Sequence, residues 1–297
     1  MQDEFDNGND DFGSEQSTVP IKRRNVREIM TARPFRFCWV IFLVAVLVFS
    51  MPIGWLGNLI GNLNAMMLVR FLFGCGAIAL LIHYNKGECF KIKKENLKHF
   101  YLLGLAIIVA VLNFPLFTLS SGEASIIPDL SAAHIASFVF WNLSVALFEE
   151  LIFRALILSL LLLAFKKFRF APLWAILVSS GAFGIVHILN IFSTPVGFVF
   201  MQVGYTFLLG LLWGTLYYFT KSIWPSVIAH FVFNMGGFFL NNTMFDYALG
   251  RGTFWNTPAI VAFSIACVIV GILVGTRMFF YVKALPPVVK DSDKDEV

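Results

Sequence analysis

Six polar side chains stand at spacings that could do chemistry within long apolar stretches. The segment 146–154 reads Ala-Leu-Phe-Glu-Glu-Leu-Ile-Phe-Arg, with adjacent carboxylates at Glu149 and Glu150 and a guanidinium at Arg154. On an α-helix Arg154 lies one turn beyond Glu150 on the same face, so those two can pair. Glu149 points about 100° away. It has no sequence-local cation and must find its partner on another helix. Two segments offer one: Phe183-Gly184-Ile185-Val186-His187, and His230-Phe231-Val232-Phe233-Asn234, whose His230 and Asn234 share a face. A desolvated carboxylate is a strong base when ionised, and a nearby histidine can share the water it activates. His230 and Asn234, one turn apart, can donate to a developing oxyanion, at about 3–4 kcal/mol per donor in favourable cases. That is the equipment for hydrolysis. Glu149, His187 and His230 also make the two-His-one-carboxylate set that zinc accepts with water as fourth ligand. No His-Glu-x-x-His accompanies them. Ser179, Ser180 and Ser226 lie on the same segments, but nothing resembles a nucleophile elbow.

The elements that must position these groups are membrane helices. Of 297 residues 58% are hydrophobic, 16% aromatic and only 13% charged, and the mean hydropathy is +0.78. A soluble domain carries about 25% charged residues, so a soluble fold is excluded. Runs of the roughly 20 apolar residues that a bilayer core requires fall at about 37–55, 65–84, 100–119, 135–165, 172–192, 197–219, 223–240 and 257–281. The expected fold is an all-α polytopic membrane protein of about eight transmembrane helices. With the N-terminus inside, all 22 Lys and Arg residues except Arg70, Arg154 and Arg251 fall in cytoplasmic segments. The positive-inside rule produces that asymmetry and places both termini in the cytoplasm. Residues 36–283 form the transmembrane domain, with the chemistry concentrated over about 135–240. Residues 1–35 read as a disordered tail, acidic and then basic, and 284–297 as a polar C-terminal tail.

Ionisable groups inside spans are costly and are usually functional. Any one of these groups alone would pass as a packing strut or a satisfied core residue. Four such positions meeting near mid-membrane point instead to a shared site. Arg70 reads as a snorkelling side chain or one paired with a neighbouring helix. His83, His99 and His134 sit at span edges as interfacial residues. Gly181 and Gly184 would admit another helix close to His187. Cys38, Cys75, Cys89 and Cys267 are far apart and read as free buried thiols. The net charge of +4 and the pI near 8.9 reflect membrane orientation, not nucleic-acid binding.

The three motifs Glu-Glu-x-x-x-Arg (149–154), Phe-Gly-x-x-His (183–187) and His-x-x-x-Asn (230–234) resemble, in order, those of the CPBP family. That family comprises CAAX prenyl proteases of the Ras-converting type and the bacteriocin-processing and self-immunity Abi proteins. The resemblance implies an intramembrane endopeptidase with Glu149 as general base and His187 assisting it. It implies His230 and Asn234 as the oxyanion donors, with Glu150 and Arg154 as a supporting pair. Analogy to the glutamate-type members favours hydrolysis without a cofactor, with zinc on Glu149, His187 and His230 as the alternative. The partners implied are the bilayer and a membrane-associated or lipidated peptide or protein. The compact chain, without a visible targeting signal, points to the plasma membrane of a bacterium. A non-proteolytic immunity or regulatory protein is the competing function. A transporter with carboxylate proton sites is a third, weakened by the lack of an evident internal repeat.

Overall fold

Where water is excluded, a helix satisfies its backbone N–H and C=O groups within its own segment, so long apolar runs fold as helices. The computed structural model describes residues 28, 32–50, 58, 62–84, 86–121, 132–192, 195–238 and 257–285. Among them all regular structure is helical, with no strand. Nearly all of the expected N-terminal tail and most of the C-terminal tail lie outside the described residues, as does Arg251.

The helices are α1 (Pro34–Ser50), α2 (Asn62–His83), α3 (Tyr101–Ser121), α4 (Ala132–Glu150), α5 (Ser159–Ala164), α6 (Ala171–Val186), α7 (Val196–Thr220), α8 (Trp224–Phe238) and α9 (Thr257–Lys283). The described part of each of the eight apolar runs is largely helical. By length and composition three described segments can cross a membrane: Ala65–His83, Ala171–Phe192 and Val199–Thr220. Pro34–Ser50 and Tyr101–Val111 are shorter apolar helices. The run over 135–165 does not continue as one α-helix. After Glu150 it becomes a π-helix, Leu151–Leu158, and then resumes as α5. The α8 helix has 15 residues, about 22 Å at 1.5 Å per residue. Large apolar side chains remain exposed around the bundle, among them Leu47, Phe71, Phe140 and Ile272. An integral membrane protein presents such a surface to lipid.

Small residues bring α6 and α7 together. A Cβ on Gly184 would lie 2.9 Å from the Val203 carbonyl oxygen, and one on Gly210 would lie 3.0 Å from the Ser180 Cβ. Gly214, one turn on, faces Ile176. This is a Gly-x-x-x-Gly contact on α7, and the sequence reading did not single it out. Gly181, expected to share the role of Gly184, has nothing within 4 Å of a Cβ position. It faces off the contact because the helix carries residue 181 away from residues 180 and 184. Cys38 and Cys89 are buried, but Cys75 is exposed, contrary to expectation. It lies on the outward face of α2, beside exposed Phe71 and Leu72.

Several connections gather at one end of the bundle. The Ile223 amide donates to the Cys89 carbonyl and Trp224 Nε1 to the Phe90 carbonyl, each at 2.8 Å. The His99 ring lies 5.1 Å from Phe219, which lies 4.9 Å from Tyr281, and Phe170 stacks on Phe279 at 6.3 Å. These are segments that the charge pattern groups on one side. The α7 helix stops here in a left-handed C-cap at Lys221 (φ 54°), whose amide donates to the Tyr217 carbonyl. A residue with a Cβ gives up about 1 kcal/mol in that conformation.

Candidate active site

The acidic pair occupies the last two positions of α4, at the junction with the π-helix. Glu149, Glu150, Arg154 and His230 are 4%, 0%, 1% and 3% exposed, so their charges must be met by one another and by aromatic faces. Arg154 Nη1 lies 3.1 Å from Glu150 Oε1, the one-turn pairing that the spacing predicts. The same carboxylate oxygen accepts from His230 Nδ1 at 3.0 Å. The other ring nitrogen, Nε2, lies 3.7 Å from Glu149 Oε2. Arg154, Glu150, His230 and Glu149 thus form one row across α4, the π-helix and α8. Glu149 does find its closest described partner on another helix, and that partner is His230.

The guanidinium is only partly satisfied by this row. Neither Nη atom of Arg154 makes an aligned hydrogen bond, and its Cζ rests 4.3 Å over Phe183 and 5.5 Å from the Trp213 centroid. Desolvated contacts of this kind are worth about 2 kcal/mol. Phe183 is the hub. Its ring lies 5.1 Å from His187, 5.2 Å from Phe153, and 5.9 Å from both Trp213 and His230.

His187 is placed where α6 gives way to the 3-10 helix His187–Phe192. Its Nδ1 lies 2.8 Å from the Phe183 carbonyl, which can only accept, so Nδ1 carries the proton and Nε2 the free lone pair. Three residues along that 3-10 segment, Asn190 donates to Gln202 on α7 at 2.7 Å. His187 and Glu149 influence each other electrostatically, although no ion pair joins them. Asn234 is half-buried one turn beyond His230, and no side-chain hydrogen bond to it is described. The motif serines are structural: Ser179 Oγ donates to the Phe153 carbonyl at 2.7 Å, and Ser226 Oγ to the Ile223 carbonyl at 2.9 Å.

The sequence reading missed Trp213 and the π-helix. Trp213 on α7 stacks on His230 at 4.2 Å and 18°. It lies next to Gly214 in the Gly-x-x-x-Gly stretch, a pattern that could have marked this face of α7. The π-helix interrupts the backbone just after the carboxylates, a geometry common at functional sites. Nothing in Leu151–Leu158 announces it. Arg70 is not a snorkelling side chain. It reaches across to α4, its Cζ lies 4.3 Å over Trp141, and its charge acts on Glu149.

The zinc alternative required Glu149, His187 and His230 to converge as ligands. Among the described residues no group of three or more His, Cys, Asp or Glu side chains could hold a metal ion. Each nitrogen of His230 faces a carboxylate, and Nδ1 of His187 is committed to Phe183. As placed, Glu149, His187 and His230 do not form such a group, and no step below runs through a metal.

The site is thus a set of buried carboxylates on α4, a buried histidine on α8 and a partly buried histidine just after α6, inside a helical membrane bundle. Residues 131–236, about a third of the chain, match the family model described as Type II CAAX prenyl endopeptidase Rce1-like. The chain therefore carries an Rce1-like domain, consistent with the CPBP family of CAAX proteases, and the match supports a peptidase. Comparison with curated proteins and with solved structures gave no match. All six motif residues fall inside the matched segment, whereas Arg70 lies outside it.

Proposed function

We propose that the chain is an intramembrane endopeptidase that cleaves membrane-associated or lipidated peptides by a water activated at Glu149. The observation that carries this reading is the buried row Arg154–Glu150–His230–Glu149 within an Rce1-like domain. Glu149 takes a proton from water, and the free Nε2 of His187 shares it. The resulting hydroxide adds to the scissile carbonyl carbon. Glu150 holds the His230 ring through Nδ1, which leaves its Nε2 edge beside Glu149, and with the Asn234 amide one turn on, to meet the developing oxyanion. Collapse breaks the C–N bond, and Glu149 returns the proton to the leaving amine. The bundle crosses the bilayer about eight times with both termini in the cytoplasm, a reading supported by the distribution of Lys and Arg.

The test is cleavage by the purified full chain in lipid nanodiscs. Prenylated peptides, unmodified peptides and leader peptides are offered to wild type and Glu149→Gln, with and without a zinc chelator. Cleavage should depend on Glu149 and survive chelation, with a loss in Glu149→Gln of at least about 10³-fold. Full activity in Glu149→Gln would refute the assignment of the base. Loss on chelation, restored by zinc, would refute the metal-free mechanism. Binding of these peptides without cleavage would favour an immunity-type binding protein.

A further inference from the structure

Away from the buried row, the end of the bundle where the connections gather carries more cations than acids. Lys221 closes α7, Lys86 follows α2, Lys98 and His99 precede α3, and Arg277 lies near the end of α9. Aromatic contacts tie these segments together. Lys221 Nζ rests 3.8 Å over Tyr218, Tyr218 lies 6.2 Å from Tyr281, and Phe219 lies between Tyr281 at 4.9 Å and His99 at 5.1 Å. Arg277 is one helical turn before Tyr281. The Ile223 amide bond to the Cys89 carbonyl brings the Lys86 segment to the same place.

Of the two acids in these segments, Glu88 pairs with Lys91 at 2.6 Å and with Lys93 at 3.2 Å, and Glu95, three residues before Lys98, makes no ion pair among the described residues. No ion pair among the described residues reaches Lys86, Lys98, Lys221 or Arg277. Burial and then the neighbouring Lys86 push Lys221 down to about 8, and His99 is held low by burial and by Lys98, Arg277 and Lys221. Lys221 is also the one residue other than glycine with positive φ among those described. Glycine would fill that position without strain, so a lysine there points to a use for its side chain.

We propose that this cluster binds the phosphate of an anionic phospholipid, with the aromatic floor beneath the headgroup. The acyl chains would lie along α9, where Leu273 and Phe280 are exposed on the same face as Arg277. Charge complementarity and the adjoining apolar stripe favour a lipid over a free anion. The site does not depend on the peptidase reading.

The purified full chain in neutral detergent is titrated with phosphatidylglycerol, phosphatidylcholine or inorganic phosphate. Thermal unfolding and native mass spectrometry report binding. Phosphatidylglycerol should raise Tm and remain bound, whereas phosphatidylcholine and inorganic phosphate should do neither. Lys221→Gln and Lys86→Gln should each weaken phosphatidylglycerol binding about fivefold, and Lys167→Gln, an exposed lysine between α5 and α6, should leave it unchanged. Lys221→Gly gives a readout separate from folding: it should raise Tm in phosphatidylcholine yet lose most of the phosphatidylglycerol response. Undiminished phosphatidylglycerol binding in the Lys86→Gln/Lys221→Gln pair would overturn the proposal, as would an equal loss in Lys167→Gln. Equal stabilisation by inorganic phosphate would overturn the lipid assignment.

Discussion

Replacing Glu150 by Gln separates what holds the site from what reacts in it. The Glu150 carboxylate is wholly buried and serves two partners through one oxygen, Arg154 at 3.1 Å and His230 Nδ1 at 3.0 Å. A Gln carbonyl can still accept from His230, so the ring keeps its orientation, but the charge facing Arg154 is lost. The guanidinium, 1% exposed, is left with the faces of Phe183 and Trp213 and the charge of Glu149 nearby. Breaking a buried ion pair from one side costs about 3–5 kcal/mol. At about 2–4 °C per kcal/mol for a domain of this size, Tm should fall by roughly 10 °C. Removing both charges, as Glu150→Gln with Arg154→Met, should recover more than half of that loss, because no uncompensated charge remains. The assay is thermal unfolding in neutral detergent for wild type, both single variants and the pair. Two results would refute the reasoning: a Glu150→Gln Tm within about 2 °C of wild type, or a pair whose loss equals the sum of the singles.

Three further outcomes follow from the same geometry. Gly184→Leu puts a side chain where even a Cβ would lie 2.9 Å from the Val203 carbonyl, and it should cost about 1–3 kcal/mol in thermal unfolding, whereas Gly181→Leu should cost little. Trp213→Leu removes the stack on His230 at 4.2 Å, and cleavage should fall about tenfold; unchanged cleavage would mean that the stack does not position the ring. Although Lys221 is exposed as a whole residue, its Nζ rests 3.8 Å over Tyr218, and desolvation there, with Lys86, lowers it to about 8 from the usual 10.5. The fold therefore binds fewer protons than the unfolded chain between those values. The penalty is complete below pH 8 and is relieved as pH rises towards 10.5. Lys221→Met should thus be more stable than wild type at pH 7, with the gap closing by about pH 10; a gap that widens with pH would reverse the assignment.

The chemistry was far more legible in the sequence than the geometry. Charged residues stand out against an apolar background because lipid penalises them, so Glu149, Glu150, Arg154, His187 and His230 could be named without a structure. The pairing of Glu150 with Arg154 follows from helix periodicity alone and is found. Which histidine Glu149 approaches is another matter. It depends on the relative depth of α4, α6 and α8, and apolar runs whose boundaries slide by several residues do not encode depth. The sequence left both histidine segments open as partners of Glu149, and the described contact is with His230, because the short α8 carries its histidine to the level of the α4 junction.

What stayed hidden is of one physical kind. Trp213, Phe183 as a hub and the Gly210–Gly214 contact are apolar residues in apolar runs, where composition gives no contrast. The π-helix is hidden for a related reason, since Leu151–Leu158 would be an equally good α-helix judged by propensity. Its stabilisation comes from elsewhere: Ser179 on α6 donates to the Phe153 carbonyl, and Cys38 on α1 lies 3.7 Å from the Ile157 carbonyl. Both are side chains from other helices bonding to backbone carbonyls inside the π segment. The irregularity is therefore a tertiary property, imposed where two other helices meet the chain just after its acidic pair. The same contact that bends the backbone out of α geometry positions Phe153 and Arg154 around Phe183. In this protein the candidate reacting groups announce themselves by charge, and the groups packed around them are apolar, so only packing reveals them.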